Sequence, residues 1–231
     1  IFRVAFGQSK MQARPIAGIL HFIIYASFLI INIEVLEIVI VGIFCTHRCF
    51  ASFLSSTYDV LISFFEIFAV ATIVTAIIFL RRRNIGKLDR FHKPEMQGWP
   101  FKDANVILYI EVALMFALLN MNAVEENFTN SQHSFLISHL IAPLWSGLSA
   151  ENLHIIERFF WWTHIAGILA FLNYLPFSKH FHIILAFPNT YYANLESKGK
   201  FANNAAVTKE VKMMMDPSAD PFAAPAPDAA A

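Results

Sequence analysis

Long runs of apolar residues alternate with polar loops along this chain. The runs lie at 16–43, 60–80, 104–123 and 159–187, and the last contains Pro176, which predicts a kink. A helix needs about 20 apolar residues to cross the hydrocarbon core of a bilayer, which is about 30 Å thick. Each run meets that length, so the pattern predicts an all-α membrane protein with a bundle of four transmembrane helices.

A fifth apolar stretch, 134–149, is too short to span and contains Pro143, which favours an interfacial or re-entrant segment. The pattern predicts a lead-in at 1–15, the helix bundle at 16–187 and a tail at 188–231. The tail ends in an Ala/Pro/Asp-rich stretch that cannot bury a core, which is typical of a linker to a further soluble domain or partner. The chain begins without methionine, and we expect a segment upstream.

Composition narrows the class of protein. Hydrophobic residues make up 57% of the chain and charged residues 15%, with 24 Phe, which is too apolar for an ordinary soluble domain. The net charge is 0 and no basic run alternates with aromatic residues, so no nucleic-acid partner is indicated. No glycine-rich phosphate loop occurs among the 8 glycines, which excludes a soluble nucleotide-dependent enzyme.

Lysine and arginine are concentrated on one side of the predicted bundle. Cytoplasmic loops of membrane proteins retain these residues, and with four crossings only Arg48 and Arg158 fall on the opposite side. The lead-in and the tail are therefore predicted to be cytoplasmic. The remaining positive residues are Arg3, Lys10, Arg14, Arg81, Arg82, Arg83, Lys87, Arg90, Lys93, Lys102, Lys179, Lys198, Lys200, Lys209 and Lys212.

Histidines occur inside two of the predicted spans. His164 and His182 are 18 residues apart, which on a continuous helix is about five turns, roughly 27 Å along one face. His180 would point about 160° away from His164, which favours His182 as the functional residue. His21 lies about one and a half turns inside the cytoplasmic end of the first span, the depth of His182. Two imidazoles on facing helices at one depth indicate axial ligands of a haem iron.

His164, in the outer half of the last span, suggests a second haem, but the sequence does not identify the other ligand of that haem. Asn32 lies nearly above His21 in the first span, but an amide is a poor iron ligand. His47 and His139 are the other candidates, and a non-histidine or vacant sixth position is the remaining alternative. The sequence therefore predicts one or two b haems.

Three segments resemble the membrane part of bacterial iron–sulfur oxidoreductases related to heterodisulfide reductase, whose cytochrome b domain is similar to the gamma subunit of respiratory nitrate reductase. They are "MQARPIAGILHFIIYASFLIINIEVLEIVIVGIF", "EMQGWPFKDANVILYIEVALMF" and "FLNYLPFSKHFHIILAFPNTYYANLESKGK". The resemblance runs from about residue 5 to about residue 202. It implies a location in the bacterial inner membrane and a first helix upstream of this chain.

In the nitrate reductase relatives, a five-helix subunit holds two b haems, with two histidines on one helix and two on the last. His164 and His182 match the last-helix pair, and His21 matches the cytoplasmic-side ligand of the earlier helix. The expected second histidine of that helix falls at Ile31, so the sequence departs from the family pattern there.

The resemblance also implies partners and substrates. These are a quinone, menaquinone or ubiquinone, and a cytoplasmic iron–sulfur module or subunit, with a flavoprotein as a further candidate. Any [4Fe–4S] centre would belong to that partner or to a C-terminal domain beyond the chain, because the only cysteines are Cys45 and Cys49 in "CTHRC". With His47 these are one ligand short of a closed zinc site, and we interpret them as unpaired or oxidised thiols.

Quinone chemistry moves protons as well as electrons, so it needs a titratable group near the haem. Glu34 and Glu37 lie toward the outer half of the first span and are candidates for quinone protonation. The alternative is that they pair inside the bundle, which is our interpretation of Glu66 and Glu111. A transporter or proton channel built on intramembrane His and Glu is the competing function, but these groups do not share one helical face with His21.

Overall fold

The computed structural model describes residues 2–9, 11–44, 50, 54, 56–86, 88, 91, 93–129, 135–194 and 204–216. Among these residues the regular structure is helical and no strand occurs. Four helices are long and apolar enough to cross a membrane, so the predicted all-α bundle with four spans is confirmed. The helices are α1 (Pro15–Phe44), α2 (Ser56–Asn84), α3 (Trp99–Thr129), α4 (Ser138–Ile141), α5 (Ala150–Tyr174), α6 (His182–Tyr191) and α7 (Ala205–Met215).

The long helices pack mainly in sequence order, with α1 against α2, α2 against α3, and α3 against α5. Small residues line these contacts: Ala69 of α2 and Ala117 of α3 are buried, and a Cβ on Gly167 of α5 would lie 2.6 Å from Leu114 Cδ2 of α3. Close approach through small side chains is how helices associate in lipid, where apolar burial alone gives no driving force. Exposed apolar side chains such as Phe22 cover the outer faces.

The described residues 135–149, which follow α3, do not form a span. They contain α4 and a 3-10 turn at Ala142–Leu144, both far shorter than a transmembrane helix. Glu66 of α2 binds the start of α4, because its carboxylate accepts hydrogen bonds from the backbone N–H groups of Ile137 (2.7 Å) and Ser138 (3.3 Å). The same carboxylate also accepts a hydrogen bond from Asn122 Nδ2 of α3 (3.3 Å). The prediction that Glu66 pairs inside the bundle is confirmed.

The last span differs from the predicted continuous helix at 159–187. Helix α5 ends at Tyr174, and 3-10 turns at Leu175–Phe177 and Lys179–Phe181 lead into α6. Pro176 lacks an N–H and its ring clashes with the carbonyl four residues earlier, so the α-helix stops instead of bending. The prediction that His164 and His182 share one face of one helix is therefore wrong. We call residues 175–181 the corner.

The chain divides into two units, Ile1–Tyr191 and Tyr192–Ala231. The first holds the bundle, and α6 continues past the predicted domain boundary at 187 to Tyr191. In the second unit the structure describes α7, which is capped by a hydrogen bond from the backbone N–H of Ala206 to Asn204 Oδ1 (3.0 Å).

Candidate functional site

A cavity of about 590 Å³ opens near the start of α1, where α1, α2, α3 and the corner meet. This volume lies within the range of roughly 300–1,000 Å³ that is usual for cofactor and ligand sites. Most of the wall surface is apolar, and eight of the described lining residues are polar or charged. Those are Arg14, His21, Arg82, Arg83, Glu111, Lys179, His180 and His182.

Two of the predicted ligands, His21 and His182, lie next to each other at this cavity. Their ring centroids are 6.1 Å apart and the ring planes are inclined by 52°. Two metal–nitrogen bonds of about 2 Å, each extended by the radius of an imidazole ring, place the two centroids roughly 6 Å apart. The separation therefore matches that of two axial ligands on one metal.

Each of these imidazoles is oriented by a hydrogen bond at Nδ1. His21 Nδ1 donates to Gln8 Oε1 (3.0 Å), and His182 Nδ1 donates to the backbone carbonyl of Lys179 (2.9 Å). In a neutral imidazole the proton on Nδ1 leaves Nε2 with its lone pair. Histidines that bind metals are usually held in this way, so both residues present Nε2 as a potential ligand.

His180, which the sequence interpretation set aside, also lines this cavity. Its side chain is buried between Phe28 and Phe171, and its ring centroid lies 5.7 Å from that of His182. Its Nε2 has no hydrogen-bond partner among the described residues. The argument against His180 assumed a continuous helix, which the corner interrupts.

His164 has a different environment. It is 1% exposed, and its Nδ1 donates to the backbone carbonyl of Leu114 (2.9 Å), which joins α5 to α3. The cavity beside it measures about 90 Å³ and is bordered by Ile31 and Asn32, well below the volume usual for a cofactor. The cavity at His164 is thus smaller than the cavity at His21 and His182, and a haem bound by His164 stays a prediction.

Of the two proposed partners of His164, only His139 lies among the described residues, and it does not join His164. His139 is exposed and its Nδ1 lies 2.6 Å from Glu126 Oε1. The Glu126 carboxylate raises the pKa of His139. His139 is not among the described residues that line the cavity at His164. His47 lies outside the described residues, as do Cys45 and Cys49.

Among the acidic candidates, Glu37 is paired inside the bundle. Its carboxylate accepts hydrogen bonds from the backbone N–H of Phe50 (2.9 Å) and from the Tyr58 hydroxyl (3.0 Å). Glu34 is also buried, and neither residue is among those that line the two histidine cavities. The pairing interpretation thus fits Glu37 better than quinone protonation.

Glu111, interpreted from the sequence as a paired carboxylate, borders both histidine cavities. Its Oε2 has no hydrogen-bond partner among the described residues. A buried carboxylate oxygen without a hydrogen-bond partner is costly and points to use by a ligand or a proton. Nothing in the sequence distinguished Glu111 from Glu66, because both are single acidic residues in the middle of apolar runs.

The described residues contain no group of three or more His, Cys, Asp or Glu side chains that could hold a metal ion. A closed zinc site of four protein ligands therefore does not form in this part of the chain. A haem needs only two axial side chains, since the porphyrin supplies the other four nitrogens. The His21 and His182 pair meets that smaller requirement.

The structural role of Glu37 predicts the effect of Tyr58→Phe. The substitution leaves one buried carboxylate oxygen without its hydroxyl donor, so we expect the free energy of unfolding to fall by about 1–3 kcal/mol. Thermal unfolding in detergent measures the loss, and Tyr109→Phe, at an exposed position of α3, is the matched control. If Tyr58→Phe instead has wild-type stability but reacts more slowly with quinol, Glu37 would be a candidate for quinone protonation again.

Two curated proteins are similar to this chain. The probable iron-sulfur-binding oxidoreductase FadF of Bacillus subtilis (strain 168) is 28% identical over 197 residues, which is 84% of this chain and 26% of the relative. The EtfAB:quinone oxidoreductase of Syntrophomonas wolfei is 21% identical over 207 residues, 84% of this chain and 28% of the relative. The chain thus spans about a quarter of the length of these relatives. No protein-family model and no solved structure matches it.

Proposed function

We propose that this chain is a membrane haem b domain that carries electrons between the quinone pool and an iron–sulfur oxidoreductase module. The observation that carries the proposal is the pair of His21 and His182, whose ring centroids lie 6.1 Å apart at the 590 Å³ cavity. Iron porphyrin bound there would supply a one-electron carrier.

The side chains around the cavity suit such a group. Apolar side chains from α1, α2 and α3 cover most of the wall. Arg14 and Arg82 border the same cavity, and guanidinium groups bind carboxylates such as those of a porphyrin through charge-assisted hydrogen bonds. His21 and His182 would hold the iron through Nε2.

The similar proteins indicate the partners. One is named an iron-sulfur-binding oxidoreductase and the other an EtfAB:quinone oxidoreductase. We therefore propose menaquinone or ubiquinone as the substrate, with a cytoplasmic module carrying [4Fe–4S] centres, and a flavoprotein beyond it, as the electron-transfer partners. The positive residues favour an inner-membrane orientation with both ends of the chain in the cytoplasm.

Reduction by quinol tests the electron-transfer part of this proposal. A quinol gives up two electrons and two protons when it becomes a quinone, so one quinol should reduce the haem of two chains. We expect menaquinol or ubiquinol analogues to raise the α-band of reduced b haem in the purified full chain. His139→Ala is the control, since His139 is exposed and paired with Glu126. A haem that dithionite reduces but neither quinol reduces would contradict a role in quinone chemistry.

A further inference from the structure

The corner between α5 and α6 is organised by one buried carboxylate. Asp103 of α3 is 1% exposed. One of its oxygens accepts a hydrogen bond from the Tyr174 hydroxyl, at the end of α5. The other accepts a hydrogen bond from the backbone N–H of Lys179 (2.8 Å), which lies beyond Pro176. A single side chain thus links both sides of the helix break to α3.

The same backbone segment orients a predicted haem ligand. The carbonyl of Lys179 accepts the Nδ1 proton of His182 (2.9 Å). The amide and the carbonyl of Lys179 are therefore both engaged, one by Asp103 and the other by the imidazole. Two consecutive hydrogen bonds connect the Asp103 carboxylate to His182.

Local hydrogen bonds complete the corner. Ser178 Oγ donates to the carbonyl of Leu175 (3.0 Å) and accepts from the backbone N–H of His180 (3.1 Å). These bonds satisfy backbone groups released by the end of α5, but they lie within the corner and do not fix it to the bundle. The Asp103 carboxylate provides a hydrogen-bonded connection to α3.

We propose that Asp103 is a positioning residue for the haem ligand His182. The inference rests on the proposed function, because it gives the corner a role only if His182 binds iron. The Asp103 side chain holds the backbone of Lys179 in place through its N–H group. The Lys179 carbonyl then keeps the His182 ring oriented with Nε2 toward the cavity. Residues that orient metal ligands in this way typically change metal affinity by about 10–100-fold when they are removed.

Three substitutions separate the two hydrogen bonds of Asp103. Asp103→Leu has a similar size and removes both acceptors. Asp103→Asn keeps an oxygen for the Lys179 N–H, while its amide can donate to the Tyr174 hydroxyl oxygen. Tyr174→Phe removes only the bond at the end of α5 and leaves the Lys179 contact, so it is the matched control.

The test combines a measurement without haem and two with haem on the full chain in detergent. In haem-free protein, hydrogen–deuterium exchange of a peptide covering the corner should be faster in Asp103→Leu than in Asp103→Asn or Tyr174→Phe. In haem-loaded protein, Asp103→Leu should bind haem about 10-fold more weakly or worse. Electron paramagnetic resonance should also show altered low-spin g-values. Asp103→Asn should restore both properties.

Each outcome is decisive. Unchanged exchange at the corner in Asp103→Leu would overturn the inference, whatever happens to haem. Faster exchange with wild-type haem affinity and g-values would also overturn it, because the carboxylate would then be structural only. A wild-type chain that binds no haem would be the failure of the proposed function itself, and it would appear before any variant is made.

Discussion

His21→Ala and His182→Ala are each expected to abolish stable haem binding. Each substitution removes one of two imidazoles whose ring centroids are 6.1 Å apart, so a haem bound at this cavity would lose one of the two side chains that would hold it. We expect haem content per chain to fall by about 10-fold or more, and the low-spin b-type spectrum to disappear from what remains. A haem assay on purified protein, with the absorption spectrum, measures both effects.

His154→Ala is the matched control for this pair, because His154 is an exposed histidine of α5 that does not line the cavity. The variant should retain the wild-type haem content. A different result, in which His21→Ala or His182→Ala keeps a normal low-spin spectrum, would contradict the assignment of that residue. His180, whose Nε2 is buried beside His182, would then be the next ligand to test.

His164→Ala is expected to cost stability but not haem. The substitution removes the hydrogen bond to the Leu114 carbonyl and leaves a cavity at a position that is 1% exposed. Loss of a large buried side chain and of its hydrogen bond typically lowers the free energy of unfolding by about 2–4 kcal/mol. Thermal or denaturant unfolding in detergent gives this value, and the haem content of the same preparation should equal that of the wild type.

The haem content of His164→Ala also decides how many haems the chain holds. The 90 Å³ cavity beside His164 and the apolar side chain of Ile31, which borders it and cannot bind iron, favour a single haem. A fall from two haems per chain to one in His164→Ala would contradict this account and make His164 a ligand of an outer haem.

The sequence predicted the four spans because a transmembrane helix leaves a strong signal in the order of apolar residues. It also predicted that His21 and His182 meet, although part of the reasoning was wrong. The argument from matching depth still applies, because depth in the bundle depends on the distance along the chain. The argument that His164 and His182 share one helical face is wrong, since Pro176 ends the helix.

The tertiary hydrogen bonds could not be predicted from the sequence. Glu37, Glu66 and Glu111 look alike as isolated carboxylates in apolar runs. Only the folded structure pairs Glu37 with Tyr58, joins Glu66 to the start of α4, and leaves Glu111 at the two cavities. Asp103 is a similar case, because its partners, at the end of α5 and in the corner, are more than 70 positions away along the chain.

A pyridine haemochrome count combined with a reduced-minus-oxidised absorption spectrum of the purified wild-type chain tests the central claim most directly. The account predicts one b haem per chain with a low-spin spectrum, held between His21 and His182. A chain that stays free of haem when haem is supplied during expression would contradict it, and the transporter or proton-channel interpretation would then take its place.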